Sequence, residues 1–275
     1  MLCIEPVRVS SLWNKAEKMN HPCRNNLNWQ SIDYDEMSEV YDQVRSGSPE
    51  MIRHLVRGAP LKPGSLVLDV GCGTANNTVL FADAVDALVI GVDLSGQMLA
   101  KAHEKAPVLD FIQSSADSLS LPGDAFDFVF MSDVIHHIVD LHSTLSEIHR
   151  VLSHGGMTCI VTQSDKQIEE RMTSKFFPST VDVDKARYAG ISEIEKVMVS
   201  VGYTNVYSRE LTLAAFPLTP DYLAIVEKKG YSSLHKINEE EFQRGLLAVR
   251  AALFRGDEPR FLTKYTFVWA TKTVS

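Results

Sequence analysis

The 275-residue sequence has few cysteines, no long apolar run and no excess of positive charge. None of its four cysteines belongs to a C-x-x-C pair, which argues against zinc fingers and thioredoxin-like redox motifs, so we expect no metal site. Isolated thiols favour a reducing, cytoplasmic setting. No apolar stretch approaches the ~18 residues of a membrane span, and the first residues show no secretory-signal pattern. We therefore expect a cytoplasmic protein without membrane association.

The charge balance argues against a further group of functions. The chain has 27 Lys and Arg against 35 Asp and Glu, for a formal net charge of −8 at pH 7. Nucleic acids and anionic membranes are bound through clustered cations, so this balance disfavours both as partners. Hydrophobic residues make up 45% of a sequence that is long enough to bury a sizeable core, which excludes a disordered chain.

Short apolar runs alternate with helical stretches through the middle of the chain. The runs that we interpret as strands are 66–70, 88–92, 109–112, 126–131 and 157–162. The helical stretches between them lie at about 75–84, 96–105 and 140–152. This alternation predicts an α/β fold in which a parallel sheet is covered by helices on both faces.

The regions on either side of this core are predicted to cover it. Residues 1–30 have no periodic pattern, and we interpret them as an irregular extension of a single domain over 31–275. That domain begins with a helical cover over about 31–60, in which one helix starts at Pro49 with Ser48 as its N-cap. The remaining segments are a core at 65–163, helical substrate lids at 164–190 and 214–258, a helix at 191–201, and strands at 203–213 and 261–271.

The sharpest motif is the run Leu66-Val67-Leu68-Asp69-Val70-Gly71-Cys72-Gly73-Thr74. A buried strand ends in a G-x-G turn that opens a helix, and glycine permits positive φ and a close approach of the backbone to a ligand. The turn lies at the carboxyl end of the first strand, where doubly wound sheets bind their ligands. The motif therefore predicts a ligand site at Gly71 and Gly73.

A second acidic position follows the glycine turn by about 20 residues, the spacing at which a carboxylate reaches the hydroxyls of a ribose. Asp93 occupies this position, at the end of the second strand; alternatively, it only caps the helix that begins near Ser95. Nicotinamide dehydrogenases share both features, but they place a third glycine where this chain has Asn76. Asp69 is also badly placed beside a pyrophosphate and well placed for an ammonium group, which disfavours a dehydrogenase.

Three segments resemble the class I S-adenosylmethionine-dependent methyltransferases: Leu68-Asp69-Val70-Gly71-Cys72-Gly73-Thr74, Gly91-Val92-Asp93 and Ser115-Ala116-Asp117. The sequence is most similar to the small-molecule branch with the ubiquinone-biosynthesis and sterol-type enzymes, over about residues 34–163. The resemblance implies a Rossmann-like, doubly wound sheet of seven strands whose last strand is antiparallel. It also implies S-adenosylmethionine as the cofactor and S-adenosylhomocysteine as the product.

The resemblance assigns cofactor contacts to the matching positions. The glycine turn would line the methionine part of the cofactor, Asp69 would orient its ammonium group, and Asp93 would hold the ribose hydroxyls. Leu94 and Met98 would lie against the adenine, whose amino group would donate to Asp117. The full set of expected cofactor contacts is Asp69, Gly71, Cys72, Gly73, Asp93, Leu94, Met98, Ala116, Asp117 and Ser132.

Methyl transfer from a sulfonium is an in-line displacement, so the protein mainly supplies alignment and exclusion of water. A general base is needed only if the acceptor must lose a proton. The candidate base lies in the run after the fourth strand, where two adjacent histidines cannot both face the pocket. The resemblance implies that His137 faces it, with His136 packed or hydrogen-bonded behind. Alternatively, His137 only shapes the site. Asp133 is a weaker candidate, or a helix cap.

The N-terminal cover supplies the second candidate catalytic residue. Tyr34, Tyr41 and Arg45 share one face of a predicted helix. In similar enzymes such a helix closes over the cofactor, and the resemblance then implies that Tyr41 faces the cofactor or the substrate. The alternative is a core stripe whose polar tips reach solvent.

These features predict transfer of a methyl group from S-adenosylmethionine to a small organic acceptor, by a monomer or homodimer. Three alternatives stay open: a methyltransferase acting on a protein or nucleic acid, a catalytically silent cofactor-binding partner subunit, and a nicotinamide dehydrogenase. The acidic balance disfavours the first alternative. So does the run Ser132-Asp133-Val134-Ile135, because enzymes that methylate base amino groups have Asn/Asp-Pro-Pro-Tyr there.

Overall fold

The fold is described from a computed structural model over residues 47–255 and 260–274. The predicted extension at 1–30 and the candidate residues Tyr34, Tyr41 and Arg45 lie outside these ranges. The strands are Ser65–Val70 (β1), Ala87–Asp93 (β2), Asp110–Gln113 (β3), Phe126–Ser132 (β4), Leu152–Thr162 (β5), Tyr203–Pro217 (β6) and Arg260–Lys272 (β7).

The helices alternate with the strands and then cluster in the last third of the chain. They are Pro49–Gly58 (α1), Asn76–Ala84 (α2), Gly96–Lys105 (α3), Leu141–Val151 (α4), Asp165–Glu169 (α5), Met172–Phe176 (α6), Thr180–Lys185 (α7), Ile191–Val201 (α8), Pro220–Glu227 (α9) and Glu239–Phe254 (α10). Short 3₁₀-helices lie at Ile135–His137 and Ser232–His235. No helix in the described ranges has the length and apolarity needed to cross a membrane.

The seven strands form one sheet in the order β3-β2-β1-β4-β5-β7-β6. Strands β1 to β5 pair in parallel, and β7 pairs antiparallel with both β5 and β6. This topology confirms the predicted doubly wound sheet of seven strands with an antiparallel last strand. It brings the carboxyl ends of β1, β2 and β4, with the segments that follow them, to one edge of the sheet.

Hydrophobic clusters lie on both faces of the sheet, as the apolar strands require. Leu68 and Val70 of β1 belong to one cluster, whose helical side chains come from α4 and α8. Val67 of β1 belongs to the other, which includes Phe81 of α2 and the buried side of α1. The α1 helix begins as predicted, because the Ser48 hydroxyl accepts a hydrogen bond from the backbone N–H of Met51.

A third hydrophobic cluster is built by the segments after β5 and between β6 and β7. Its members include Met172, Phe177, Tyr222, Phe242 and Leu246, which are buried. The apolar stripe of α10, with Phe242 and Leu246, is therefore core, as the helical spacing of its apolar residues indicates. We name the two segments that form this cluster, residues 164–190 and 214–255, the lid segments.

The helix predicted at about 140–152 is α4, but the way it ends differs from the expectation. The glycine that follows it in sequence, Gly155, is expected to end the helix before the fifth strand, whereas α4 ends at Val151 and β5 begins directly at Leu152. Gly155, at φ +81°, lies inside β5. The Lys272 ammonium group of β7 instead donates to the carbonyl oxygens of His149 and Leu152 at 2.8 and 2.9 Å, which satisfies the C-terminal end of α4.

Candidate active site

The glycine turn after β1 has the backbone that its sequence predicts. Gly71 and Gly73 have φ values of +79° and +55°. A Cβ on Gly71 would lie 2.4 Å from a Val134 methyl group, so only glycine fits there. A Cβ on Gly73 would meet no atom of the described residues within 4 Å. Among these residues the turn therefore forms a cradle that a ligand could approach closely.

Two other residues of the turn are held by neighbouring elements. The Cys72 side chain is buried, and a Cβ on Gly91 of β2 would lie 2.8 Å from its Sγ. Burial raises the pKa of the Cys72 thiol well above its usual value, so this residue stays a thiol. Asn76, which replaces the third glycine of dehydrogenases, accepts a 2.5 Å hydrogen bond from Lys105. That lysine also donates to the Thr74 carbonyl oxygen at 2.8 Å.

Asp93 lies beside the glycine turn, as the sequence predicts. Its Oδ2 accepts a hydrogen bond from the Gly73 N–H at 2.8 Å, and its Oδ1 accepts one from the Ser95 N–H at 2.9 Å. The N-cap of α3 is Ser95, whose hydroxyl accepts from the Met98 N–H, so Asp93 is not the cap. The role of Asp93 toward a ribose stays a prediction.

The residues predicted to contact an adenine differ in exposure. Leu94, next to Asp93, is 67% exposed, whereas Met98 is buried in α3. The Gln113 amide of β3 donates to the Leu94 carbonyl oxygen at 2.9 Å. Asp117 is exposed in the turn after β3, next to the half-buried Ala116, and accepts a 2.5 Å bond from the Ser115 hydroxyl. The role of each residue toward an adenine stays a prediction.

Asp69 is a buried carboxylate at the end of β1. Its Oδ2 accepts a hydrogen bond from the Thr78 hydroxyl at 2.7 Å, while Oδ1 has no hydrogen-bond partner in the described part of the chain. Burial, and to a smaller extent the charge of Asp93, raises the pKa of Asp69 from 3.8 to about 7; the Thr78 bond opposes this rise. A carboxylate with one orphaned oxygen fits a cationic ligand group.

Ser132 ends β4 and is linked to the start of α1. The Asn77 amide nitrogen donates to the Ser132 hydroxyl at 3.1 Å, and the Asn77 carbonyl oxygen accepts from the Ser48 N–H at 3.0 Å. Sequence reasoning missed Asn77, although its place in the first turn of the helix after the glycine turn could have indicated it. Through Asn77, the start of α1 is joined to the carboxyl end of β4.

The two histidines after β4 lie in a 3₁₀-helix, and the structure separates their surroundings. His137 is exposed, whereas His136 is half-buried and stacks on Tyr188, with ring centroids 4.5 Å apart and planes at 6°. This arrangement agrees with the expected packing of His136 behind His137. The role of His137 as a base stays a prediction.

Asp133, the weaker candidate, does not cap a helix, because Val134 precedes the first residue of the 3₁₀-helix. Its backbone is left-handed, with φ +58°, which is unusual for a residue other than glycine. The Tyr265 hydroxyl of β7 donates to its Oδ2 at 3.2 Å. Sequence reasoning missed Tyr265, which is 132 residues away in the chain and carries no local signal.

Comparisons with known proteins find similarity to methyltransferases. Residues 68–160 match a family model described as a methyltransferase domain. The demethylmenaquinone methyltransferase of Lysinibacillus sphaericus is 34% identical over 145 residues, which is 50% of this chain and 60% of that protein. The chain spans about half to three fifths of the length of the curated relatives that it matches first.

Two solved structures share the fold. An Anabaena variabilis protein from an antibiotic biosynthesis pathway, assigned as a methyltransferase, has a TM-score of 0.68 at 20% identity, over 83% of this chain and 99% of that one. The Haemonchus contortus phosphoethanolamine N-methyltransferase 2 in complex with S-adenosyl-L-methionine has a TM-score of 0.59 at 20% identity, over 89% and 61%.

Proposed function

We propose that this chain, whose residues 68–160 are a domain of the S-adenosylmethionine-dependent methyltransferase family, transfers a methyl group to a small organic acceptor. The observation that carries the proposal lies at the carboxyl ends of β1 and β2. There Asp93 accepts a hydrogen bond from the Gly73 N–H, and a Cβ on Gly73 would meet no described atom within 4 Å. The acceptors named by the similar proteins, demethylmenaquinone and phosphoethanolamine, are both small molecules.

The described residues offer groups that suit the proposed cofactor. The orphaned Oδ1 of Asp69 suits its ammonium group, the glycine turn suits a close approach of its methionine chain, and the Asp93 carboxylate suits its ribose hydroxyls. When bound, S-adenosylmethionine supplies an already activated methyl group on a sulfonium. The chain then has to bind the cofactor and the acceptor, align them and exclude water. We assign the exclusion of water to the lid segments.

His137 is the proposed base where the acceptor must lose a proton. It is exposed at the carboxyl end of β4, on the side from which an acceptor would approach. General-base catalysis is worth ~10²- to 10⁴-fold, so His137→Ala should lower turnover at least tenfold and leave the affinity for S-adenosylhomocysteine unchanged. Steady-state kinetics and calorimetric titration test this. Unchanged turnover would limit His137 to shaping the site.

The proposed function is tested in two steps with the full chain. Calorimetric titration with S-adenosylhomocysteine is expected to give one site per chain. Incubation with methyl-labelled cofactor and a metabolite extract, with demethylmenaquinone and phosphoethanolamine as first pure acceptors, is expected to give a labelled small product by mass spectrometry. Binding without transfer to any acceptor would contradict the proposed activity and leave a silent subunit.

The proposal includes a cytoplasmic monomer or homodimer as the active form. The acidic net charge of −8 disfavours nucleic acids and anionic membranes as partners, which supports a free enzyme that meets a dissolved acceptor. Light scattering after size-exclusion chromatography measures the oligomeric state, and fractionation of expressing cells measures the location. Recovery in the membrane fraction, or a larger assembly, would contradict this part of the proposal.

A further inference from the structure

A buried group of charged side chains joins the lid segments to each other. We name Arg171, Asp184, Arg187 and Ser232 the arginine cluster. Arg171 Nη1 donates to Asp184 Oδ2 at 2.6 Å, and Arg187 Nη2 donates to Asp184 Oδ1 and, at 3.1 Å, to the Ser232 hydroxyl. The side chains of Arg171, Asp184 and Arg187 are 20%, 3% and 17% exposed. Two guanidinium groups thus share one buried carboxylate.

Arg171 is held in place by further contacts. Its Nε donates to Gln163 Oε1 at 2.5 Å, and its guanidinium carbon lies 5.0 Å from the centroid of the Tyr188 ring. The charge of Asp133 also acts on Arg171, but that carboxylate already accepts a bond from Tyr265. Two carboxylates therefore act on Arg171, those of Asp184 and Asp133, and Arg187 shares only the Asp184 carboxylate with it.

The Arg187 guanidinium has an N–H group that makes no hydrogen bond within the described part of the chain. Both of its hydrogen bonds leave from Nη2, and its Nε is buried without an acceptor among the described residues. Buried N–H groups almost always find an acceptor, so an orphaned guanidinium nitrogen indicates a partner of complementary chemistry. Guanidinium groups match the oxygens of carboxylates and phosphates in geometry and charge.

The arginine cluster lies close to the proposed site of methyl transfer. Tyr188, the next residue after Arg187, stacks on His136, whose ring centroid is 3.9 Å from that of His137. Two stacked rings, those of Tyr188 and His136, therefore separate Arg171 from the proposed base. The proposed base and the cluster are thus connected through a short series of side-chain contacts.

We propose that Arg187, supported by Arg171 and Asp184, binds an anionic oxygen group of the methyl acceptor, supplied by a phosphate monoester or by a carboxylate. The inference rests on the proposed function and deepens it by naming the chemical class of the acceptor. Asp184 fixes the orientation of both guanidinium groups, and Ser232 brings the second lid segment to the same point. Neutral acceptors leave the buried nitrogen of Arg187 without a partner.

The experiment is calorimetric titration of the full chain saturated with S-adenosylhomocysteine. The probes are glycerol 3-phosphate, inorganic phosphate, benzoate and, as the neutral control, glycerol. At least one anionic probe is expected to bind and glycerol is not. Binding of the phosphate probes alone indicates a phosphate monoester, and binding of benzoate alone indicates a carboxylate.

Variants assign the binding to the arginine cluster. Arg187→Met should lower the affinity for the anionic probe at least tenfold. Arg187→Lys should retain part of that affinity, because lysine keeps the charge but not the planar set of donors. Asp184 stays paired with Arg171 in both variants, so neither leaves an isolated buried charge. The matched control is Arg244→Met, which replaces an exposed arginine of the second lid segment. This variant should bind the anionic probe as tightly as the unmodified chain does.

Two results would overturn the inference: no anionic probe binds the unmodified chain, or Arg187→Met binds the probe unchanged. The titration with S-adenosylhomocysteine alone is a separate readout. If that ligand does not bind, the proposed function fails, and titration of the anionic probes without it still decides whether the arginine cluster is an anion site. The two failures are therefore distinguishable.

Discussion

Asp93 shows how one carboxylate can serve both the protein and a ligand. It holds the N–H groups of Gly73 and Ser95, so it shapes the turn on which a cofactor would lie. A carboxylate oxygen can accept more than one hydrogen bond, so the same group can also serve the ribose contact proposed for it.

Replacing Asp93 should reduce cofactor affinity in two ways at once. We expect Asp93→Ala to weaken S-adenosylhomocysteine binding at least ~10-fold, about 1.4 kcal/mol, because it removes charge-assisted hydrogen bonds and loosens the turn. The affinity of Asp93→Asn, which keeps one acceptor oxygen, should lie between those of the unmodified protein and Asp93→Ala. Calorimetric titration measures the affinity, with the exposed Asp86→Ala as the control. Equal affinity in all four proteins would contradict the ribose assignment.

Asp69 predicts a pH dependence of stability. Its pKa is raised to about 7 by burial, so the folded protein binds this proton more tightly than the unfolded chain does. The contribution of this group to the free energy of unfolding is fully present below pH ~4, where the carboxyl group is protonated in both states. It is lost as the pH rises through ~7, by up to about 4 kcal/mol at ~1.4 kcal/mol per pKa unit. Urea unfolding at pH 5.5 and 8 should show a smaller loss in Asp69→Asn than in the unmodified protein.

The same carboxyl group links cofactor binding to pH. An ammonium group beside Asp69 favours the ionised carboxylate, so affinity for S-adenosylhomocysteine should rise between pH 6 and pH 8. In Asp69→Asn this rise should be absent. Titrations in buffers of different ionisation enthalpy report the proton that is released. A pH-independent affinity of the unmodified protein would place the ammonium group elsewhere.

At the scale of elements, side chains from one element satisfy backbone carbonyl groups of another. Gln163 at the end of β5 donates to the Lys264 carbonyl oxygen of β7, and Arg150 of α4 donates to the carbonyl oxygens of Leu119 and Leu121. The helix α4 ends within one residue of its predicted limit, but Lys272 of β7, and not a local glycine, satisfies carbonyl groups at that end.

Lys272 should therefore matter to the stability of α4. Its buried ammonium group donates to Asp124 Oδ1 at 2.6 Å and to carbonyl oxygens at the end of α4. Lys272→Met keeps the length of the side chain but removes these bonds, so we expect a loss of about 2 to 3 kcal/mol of unfolding free energy. Lys185→Met removes only a solvent-accessible pair with Glu169 and should change stability much less. Chemical denaturation compares the two.

At the scale of the whole molecule, the lid segments have a hydrophobic core of their own. The third cluster contains no side chain of the strands β1 to β5, and it lies among helices that follow β5 and separate β6 from β7. Such a unit can loosen while the sheet stays folded, because the clusters on the two sheet faces do not depend on it. This arrangement suits a cover that opens for an acceptor.

Weakening this third cluster should uncouple the lid from the sheet. Phe242 is buried and stacks on Phe177, with centroids 5.9 Å apart, so Phe242→Ala should cost about 3 kcal/mol locally. Hydrogen exchange should rise in α6, α9 and α10 while β1 and β4 stay protected. Leu247→Ala, on the exposed side of the same helix, is the control. Equal loss of protection in the strands would show that lid and sheet unfold together.

The sequence by itself determined the elements and the core of the site. Alternating strands and helices, the glycine turn and Asp93 carry local signals, because hydrophobic period, positive φ and strand ends depend on neighbouring residues. Only the tertiary structure decided the burial of Asp69, the bond from Tyr265 to Asp133 and the arginine cluster. These depend on residues brought together from distant parts of the chain, where packing sets burial, hydrogen bonding and charge.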